Sequence, residues 1–137
     1  MPTQRKAKIK EMSMLVFTEV KKNGDDRLDF TAEDGRMFTF VHDQDCCESV
    51  YIEDIAGNLD DLVGAPMLMA EDVSAFSAEP EIRPFGDDVY QWTFYKFATI
   101  KGYVTVRWYG SSNGYYATDV SLYVSEPDPT PQQAITA

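Results

Sequence analysis

Apolar residues recur at every second position over most of this chain, and turn-forming dipeptides separate the runs. From Met14 to Lys22, the residues Met14, Val16, Thr18 and Val20 alternate with Leu15, Phe17 and Glu19, which predicts a first strand. Asn23-Gly24 follows, a pair that tolerates the positive φ angles of a hairpin turn. Arg27–Thr31 places Leu28 and Phe30 on one face, Asp34-Gly35 marks a second turn, and Met37–Val41 sets Phe38 and Phe40 together. Three strands joined by two tight turns make an antiparallel meander.

Ser49–Ile55 alternates Val50 and Ile52 against Tyr51 and Glu53 and reads as a fourth strand. Leu59, Leu62 and Val63 lie between Gly57 and Gly64, with Asn58 placed to cap, and predict one short helix. Met67–Phe76 reads as a further strand, and Ser77–Asp88, with Pro80, Pro84 and Gly86, as a loop. Val89–Thr99 carries rings on both faces and is expected to be a central strand. Lys101-Gly102 turns the chain into Tyr103–Tyr109; Gly110–Gly114 reads as a tight loop, and Tyr115–Val124 as the last strand of a second meander. The predicted fold is therefore mainly β, bordering on α+β. Two antiparallel meanders form a sandwich or a partly open barrel, with one short helix. Residues 13–124 make the single domain, and residues 1–12, with Arg5, Lys6, Lys8 and Lys10, are expected to be a flexible basic arm. Pro127, Pro129 and Pro131 make residues 125–137 an extended, disordered tail.

Charge sharpens this picture. The 137 residues carry a net charge of −11, and between His42 and Asp88 thirteen acidic residues face one basic residue, Arg83. Such a surface repels nucleic acid and anionic lipid and attracts basic protein surfaces or cations. The N-terminal lysines and Arg5 form too small a cationic patch to reverse this. No apolar run approaches the ~20 residues that span a bilayer, and Met1–Lys10 lacks the apolar centre of a secretory signal. A cytoplasmic protein with neither nucleic-acid nor membrane partners is expected. The two cysteines, Cys46 and Cys47, are adjacent. A bridge between neighbours removes almost no chain entropy and cannot staple the fold, and two thiols without a distant partner fit a reducing compartment. They read either as a metal or redox pair, or as one inward and one outward side chain of a strand.

Three segments could carry chemistry. His42-Asp-Gln-Asp-Cys-Cys-Glu48 gathers the only histidine, both cysteines and three carboxylates. Zinc accepts each of these ligand types, with His42 and Cys46 four apart and Asp45 or Glu48 as a third donor. No CxxC or HxxxH pair accompanies them, and the same residues suit a polar turn in which Asp43 and Asp45 bond backbone amides. His42 could also act as base to Cys46 or Cys47, although nothing marks an oxyanion hole or a nucleophile elbow. The second segment, Arg107–Tyr116, combines rings at Tyr109 and Tyr115 with Ser111 and Asn113. Stacking with a few directed hydrogen bonds holds small planar ligands, and Arg107 could clamp an anionic group. The alternative is a hairpin whose rings pack across the strands. Neither GxxxxGK[ST] nor GxGxxG is present. The third segment is the acidic belt itself, either an imitation of a nucleic-acid backbone or a solvated face. The ligand-binding set expected from the first two segments is His42, Asp45, Cys46, Glu48, Arg107, Tyr109, Ser111, Asn113 and Tyr115. No catalytic residue, metal or other cofactor is expected.

Segments His42–Ile55, Leu59–Pro66 and Trp92–Tyr116 resemble a family of small uncharacterised proteins of tailed bacteriophages and prophages. The similarity covers roughly Met14–Val124. It implies a viral origin and residence in the host cytoplasm, and it brings no assigned activity. The reading it favours is a non-enzymatic accessory protein that binds a host protein or a small ligand, in a role that blunts a host defence. Two other readings stand beside it: a metal- or thiol-dependent enzyme centred on His42–Glu48, and a virion or assembly component. Self-association, a homo-oligomer, fits all three, because edge strands with aromatic neighbours invite pairing.

Overall fold

A computed structural model describes residues 3–44, 47–76, 89–112 and 118–126. Nine strands follow in order: β1 (Thr3–Lys6), β2 (Phe17–Lys22), β3 (Arg27–Ala32), β4 (Met37–Val41), β5 (Ser49–Ala56), β6 (Met69–Phe76), β7 (Val89–Thr99), β8 (Gly102–Ser112) and β9 (Ser121–Glu126). They form two antiparallel sheets, one in the order β1-β9-β4-β3-β2 and the other β5-β8-β7-β6, stacked as a sandwich rather than closed into a barrel. No helix among the described residues is long and apolar enough to cross a membrane.

The turn chemistry acts as its residues dictate. Gly24 and Gly35 take positive φ between β2, β3 and β4. Asn58 accepts the Asp60 amide at 2.9 Å and caps the short helical segment, which is a single 3-10 turn over Leu59–Leu62. Alternation then builds the core. The inward rows Leu28/Phe30, Phe38/Phe40 and Leu122/Val124 of the first sheet meet Tyr95/Phe97 and Val104/Val106/Trp108 of the second, and all are buried. Rings join the layers, with Phe30 and Phe97 centred 4.9 Å apart and Phe40 and Tyr95 4.5 Å apart. Edge and tilted contacts of this kind add to plain area burial.

The structure departs from simple alternation in three places. The strand expected over Met14–Lys22 begins at Phe17, and a bulge between Phe17 and Glu19 inserts Thr18 as an extra residue. The bulge turns Phe17 and Val20 to the same side, so both are buried although their numbers differ in parity. Next, the segment expected to be a basic arm contributes β1, which pairs with β9 from Thr3↔Glu126 to Lys6↔Tyr123. Met12, at the end of a following 3-10 turn, is fully buried. β1 is held by its ladder with β9 and by Arg5, whose guanidinium meets Glu11 at 2.9 Å and Glu126 at 3.2 Å. Finally, the last strand does not return beside β8. It crosses to the first sheet and lies between β4 and β1, in register Phe38↔Val124 and Phe40↔Leu122. Gly110, Ser111 and Ser112 belong to β8 rather than to a tight loop. Residues 127–137, the greater part of the expected tail, lie outside the described residues.

Candidate functional site

Two chain segments cross between the sheets at one end of the sandwich, from β4 to β5 and from β8 to β9. Period-2 geometry aims the residues there. His42 continues the inward row of Phe38 and Phe40, and Glu48 stands two residues before inward Val50 and Ile52. Both side chains are buried, at 4% and 0% exposure. His42 Nε2 lies 2.6 Å from Glu48 Oε2, and Nδ1 lies 2.6 Å from the carbonyl oxygen of Asp119 on the second crossing.

The roles of the ring nitrogens follow from the partners. A carbonyl oxygen only accepts, so Nδ1 carries its hydrogen. Nε2 faces the Glu48 carboxyl oxygen at 2.6 Å, so the contacts use both ring nitrogens. Metal ligation or general-base chemistry needs one of those nitrogens with a free lone pair. His42 thus ties the two crossings together. Asp43 adds to the tie by accepting from Ser121 Oγ at 3.3 Å and from Tyr123 OH at 2.5 Å. That bond, foremost, raises the Tyr123 phenol above its usual range. The Gln44 amide donates to the Glu48 carbonyl at 2.7 Å. Around these groups is a recess of about 350 Å3 lined by Lys6, His42, Asp43, Gln44, Glu48, Asp119 and Ser121.

The neighbouring interior is polar as well. Thr118 donates to Gln91 Oε1 at 2.9 Å, and Gln91, Thr93 and Ser112 are buried. Gly110 permits this approach: a Cβ there would stand 2.8 Å from the Thr118 carbonyl oxygen and 3.2 Å from Val50. A side chain at position 110 would push the second crossing outward, and the Asp119 carbonyl with it.

Arg107, Tyr109 and Ser111 occupy a different place. They are odd-numbered residues of β8, whose even-numbered residues are buried, so they project from the outside of the second sheet. Tyr109 is the centre of a ring cluster there. Its centroid lies 4.7 Å from Trp92, 5.9 Å from Tyr51 and 6.2 Å from Tyr90, the last nearly parallel. The register accounts for it, since Tyr51, Tyr109 and Trp92 are directly opposed across β5, β8 and β7. The Arg107 guanidinium lies 5.2 Å from the Trp92 ring, and its Nε donates to Glu53 at 2.7 Å. Glu53 therefore occupies the place expected for the anionic group of a ligand. Tyr51 is 37% exposed and Val73, farther along the same face on β6, 46%.

The expected ligand-binding residues are thus divided. His42 and Glu48 meet inside, at the crossings; Arg107, Tyr109 and Ser111 share the outer face. Ser111 pairs with Ser49, so the two places adjoin at the end of β5. Asp45, Cys46, Asn113 and Tyr115 lie outside the described residues. Cys47 is disulfide-bonded rather than a thiol. The described residues contain no group of three or more His, Cys, Asp or Glu arranged to hold a metal ion. The sequence reading missed Tyr51, Tyr90 and Trp92 as members of the face. Their signal was present, because rings on both sides of β7 mark an outer row as well as a buried one. Asp119 gave no signal, since it acts through its backbone carbonyl.

Comparison with known proteins gives a family and nothing finer. Residues 5–122 match the model of a domain of unknown function, DUF7448, and the chain belongs to that family. No curated protein and no solved structure matches the chain.

Proposed function

We propose that this member of the DUF7448 family is a non-enzymatic binding protein that engages a partner protein through the outer face of its second sheet. The observation that carries this reading is the half-exposed cluster of Tyr51, Tyr90, Trp92 and Tyr109 on that face. Contiguous apolar patches on the outside of a domain mark interaction sites, and tyrosine, tryptophan and arginine supply most of the binding energy at protein interfaces. Glu53 and Asp54 are exposed at the β5 side of the cluster, in a chain of net charge −11. Both features suit a partner whose contact surface is basic around an apolar centre. In the phage setting that the sequence resemblance implies, that partner is a host cytoplasmic protein whose defensive action is blunted. The engaged nitrogens of His42 favour this reading over an enzyme centred on residues 42–48.

The test is a pull-down from bacterial lysate with the wild-type chain, Trp92→Ser and Tyr109→Ser in parallel, followed by native mass spectrometry of the eluates. A protein retained by the wild type and lost from both variants supports the reading. A co-purified small molecule lost from both variants would replace the protein partner with a planar ligand. Retention independent of Trp92 and Tyr109 would sink the proposed face.

A further inference from the structure

Between the edge strand β6 and the segment that follows β1, the sandwich opens into a recess of about 310 Å3. Ile9, Phe40 and Leu122 give it an apolar wall. Polar groups enter at three points. Tyr95 of β7 and Asp72 of β6 oppose each other directly across the strands, so their side chains share the inner face of the second sheet. Lys8 reaches the recess from the chain between β1 and the Ile9–Met12 turn. None of the three is spent on the chain itself. Tyr95 is only 4% exposed, yet among the described residues its hydroxyl makes no hydrogen bond. Lys8 Nζ and the Asp72 carboxylate likewise form neither an ion pair nor a hydrogen bond there. A buried hydroxyl without a partner costs free energy, and a phenylalanine would pack as well against the Phe40 ring, whose centroid lies 4.5 Å away. The Tyr95 oxygen is not sealed off as Trp108 Nε1 is, so it faces the recess.

We propose that this recess binds a free α-amino acid with an apolar side chain. Charge selects the zwitterion. A simple amine would be attracted by Asp72 but repelled by Lys8, and a simple carboxylate the reverse, whereas a zwitterion satisfies both. Size selects an amino acid, because about 310 Å3 lies at the lower end of small-molecule sites. The wall of Ile9, Phe40 and Leu122 selects an aliphatic or aromatic side chain. In the bound state the ammonium sits between the Asp72 carboxylate and the Tyr95 phenol oxygen, both of which accept, and Lys8 donates to the ligand carboxylate. The recess is on the inner side of the second sheet, so this site is independent of the outer face around Trp92.

NMR titration of the isotope-labelled full chain reads the site, with L-leucine and L-phenylalanine as probes. Saturable shifts are expected at Lys8, Asp72, Tyr95 and Leu122, while Trp92 and Tyr109 stay unmoved. Isoamylamine and isocaproate are leucine without its carboxylate and without its ammonium. Each should bind about tenfold more weakly or worse, since each loses a hydrogen bond to a charged group. Variants then divide the roles. Lys8→Gln should bind leucine no better than isoamylamine, and Asp72→Asn no better than isocaproate. Tyr95→Phe should weaken leucine and isoamylamine but leave isocaproate unchanged, a selectivity that a merely structural tyrosine would not show. No saturable shift at these residues with either amino acid, or an analogue that binds as tightly as leucine, overturns the assignment.

Discussion

The crossing end around His42 and the outer face around Trp92 both hold charged groups beside hydrogen-bonding side chains, yet they differ in what is left over. At the crossings every group named is spent on another part of the chain: His42 on Glu48 and Asp119, Asp43 on Ser121 and Tyr123, Thr118 on Gln91. On the outer face Arg107 is spent on Glu53, but the flanks of Tyr51, Trp92 and Tyr109 touch one another only in part and stay half-exposed. Buried polar groups must be satisfied internally, because leaving one unpaired costs more than the bond is worth. Half-exposed rings carry no such obligation, so they remain available to a partner. A concentration of reactive residue types therefore points first to architecture when it is buried.

The largest effect that separates the two regions should come from Glu48→Ala. Removing one member of a buried pair leaves the other uncompensated, which costs about 3–5 kcal/mol. Urea denaturation should show that loss, whereas the fraction still folded should bind its partner as the wild type does. Impaired binding by folded Glu48→Ala would merge the two regions into one site. Gly110→Ala comes next, at about 1–3 kcal/mol for overpacking. Its Cβ displaces Thr118 and Asp119, so the His42 ring proton on Nδ1 should lose its hydrogen-bonded NMR shift. An unchanged shift would mean that the crossing is held by other contacts.

Trp92→Ser should invert this pattern, with a stability change of about 1 kcal/mol or less, the worth of a cross-strand pair, and loss of partner retention. A large drop in stability would reassign the outer rings to architecture. The smallest effect concerns pH. Burial first, then the Asp72 and Asp119 carboxylates, hold the Tyr95 phenol well above its usual range. The folded protein therefore keeps a proton that the unfolded chain releases above about pH 10. The stabilisation is complete below that pH and is lost as pH rises toward the folded value. Thermal unfolding at alkaline pH should fall less steeply in Tyr95→Phe, and identical slopes would show that Tyr95 is not the group responsible.

Much of this was legible beforehand. Asn23-Gly24, Asp34-Gly35 and Lys101-Gly102 located real turns, and alternation identified β3, β4, β5 and β8 with their inward rows, while the rings on both faces of β7 marked a strand without an inward row. The same parity rule, extended past the strand ends, would have placed His42 and Glu48 inside. Reading them as a chemical cluster obscured that. Thr18 at its bulge was not legible, because nothing in a threonine announces an extra residue between two otherwise regular segments. Nor was the strand character of Thr3–Lys6, whose stability comes from pairing with β9 rather than from its own residues.

By itself the chain determined what is local: which residues turn, which alternate, and which side of each strand is apolar. Those follow from steric limits on φ and from the two-residue period of an extended backbone. The tertiary structure alone decided that β9 joins the first sheet, that His42 closes onto a carbonyl seventy-seven residues away, and that the second ring row of β7 faces outward. These are choices among partners distant in sequence. They are settled by which arrangement buries the most apolar surface while pairing nearly all buried polar groups, Trp108 Nε1 being left without a partner among the described residues, a sum over the whole molecule that no short segment contains.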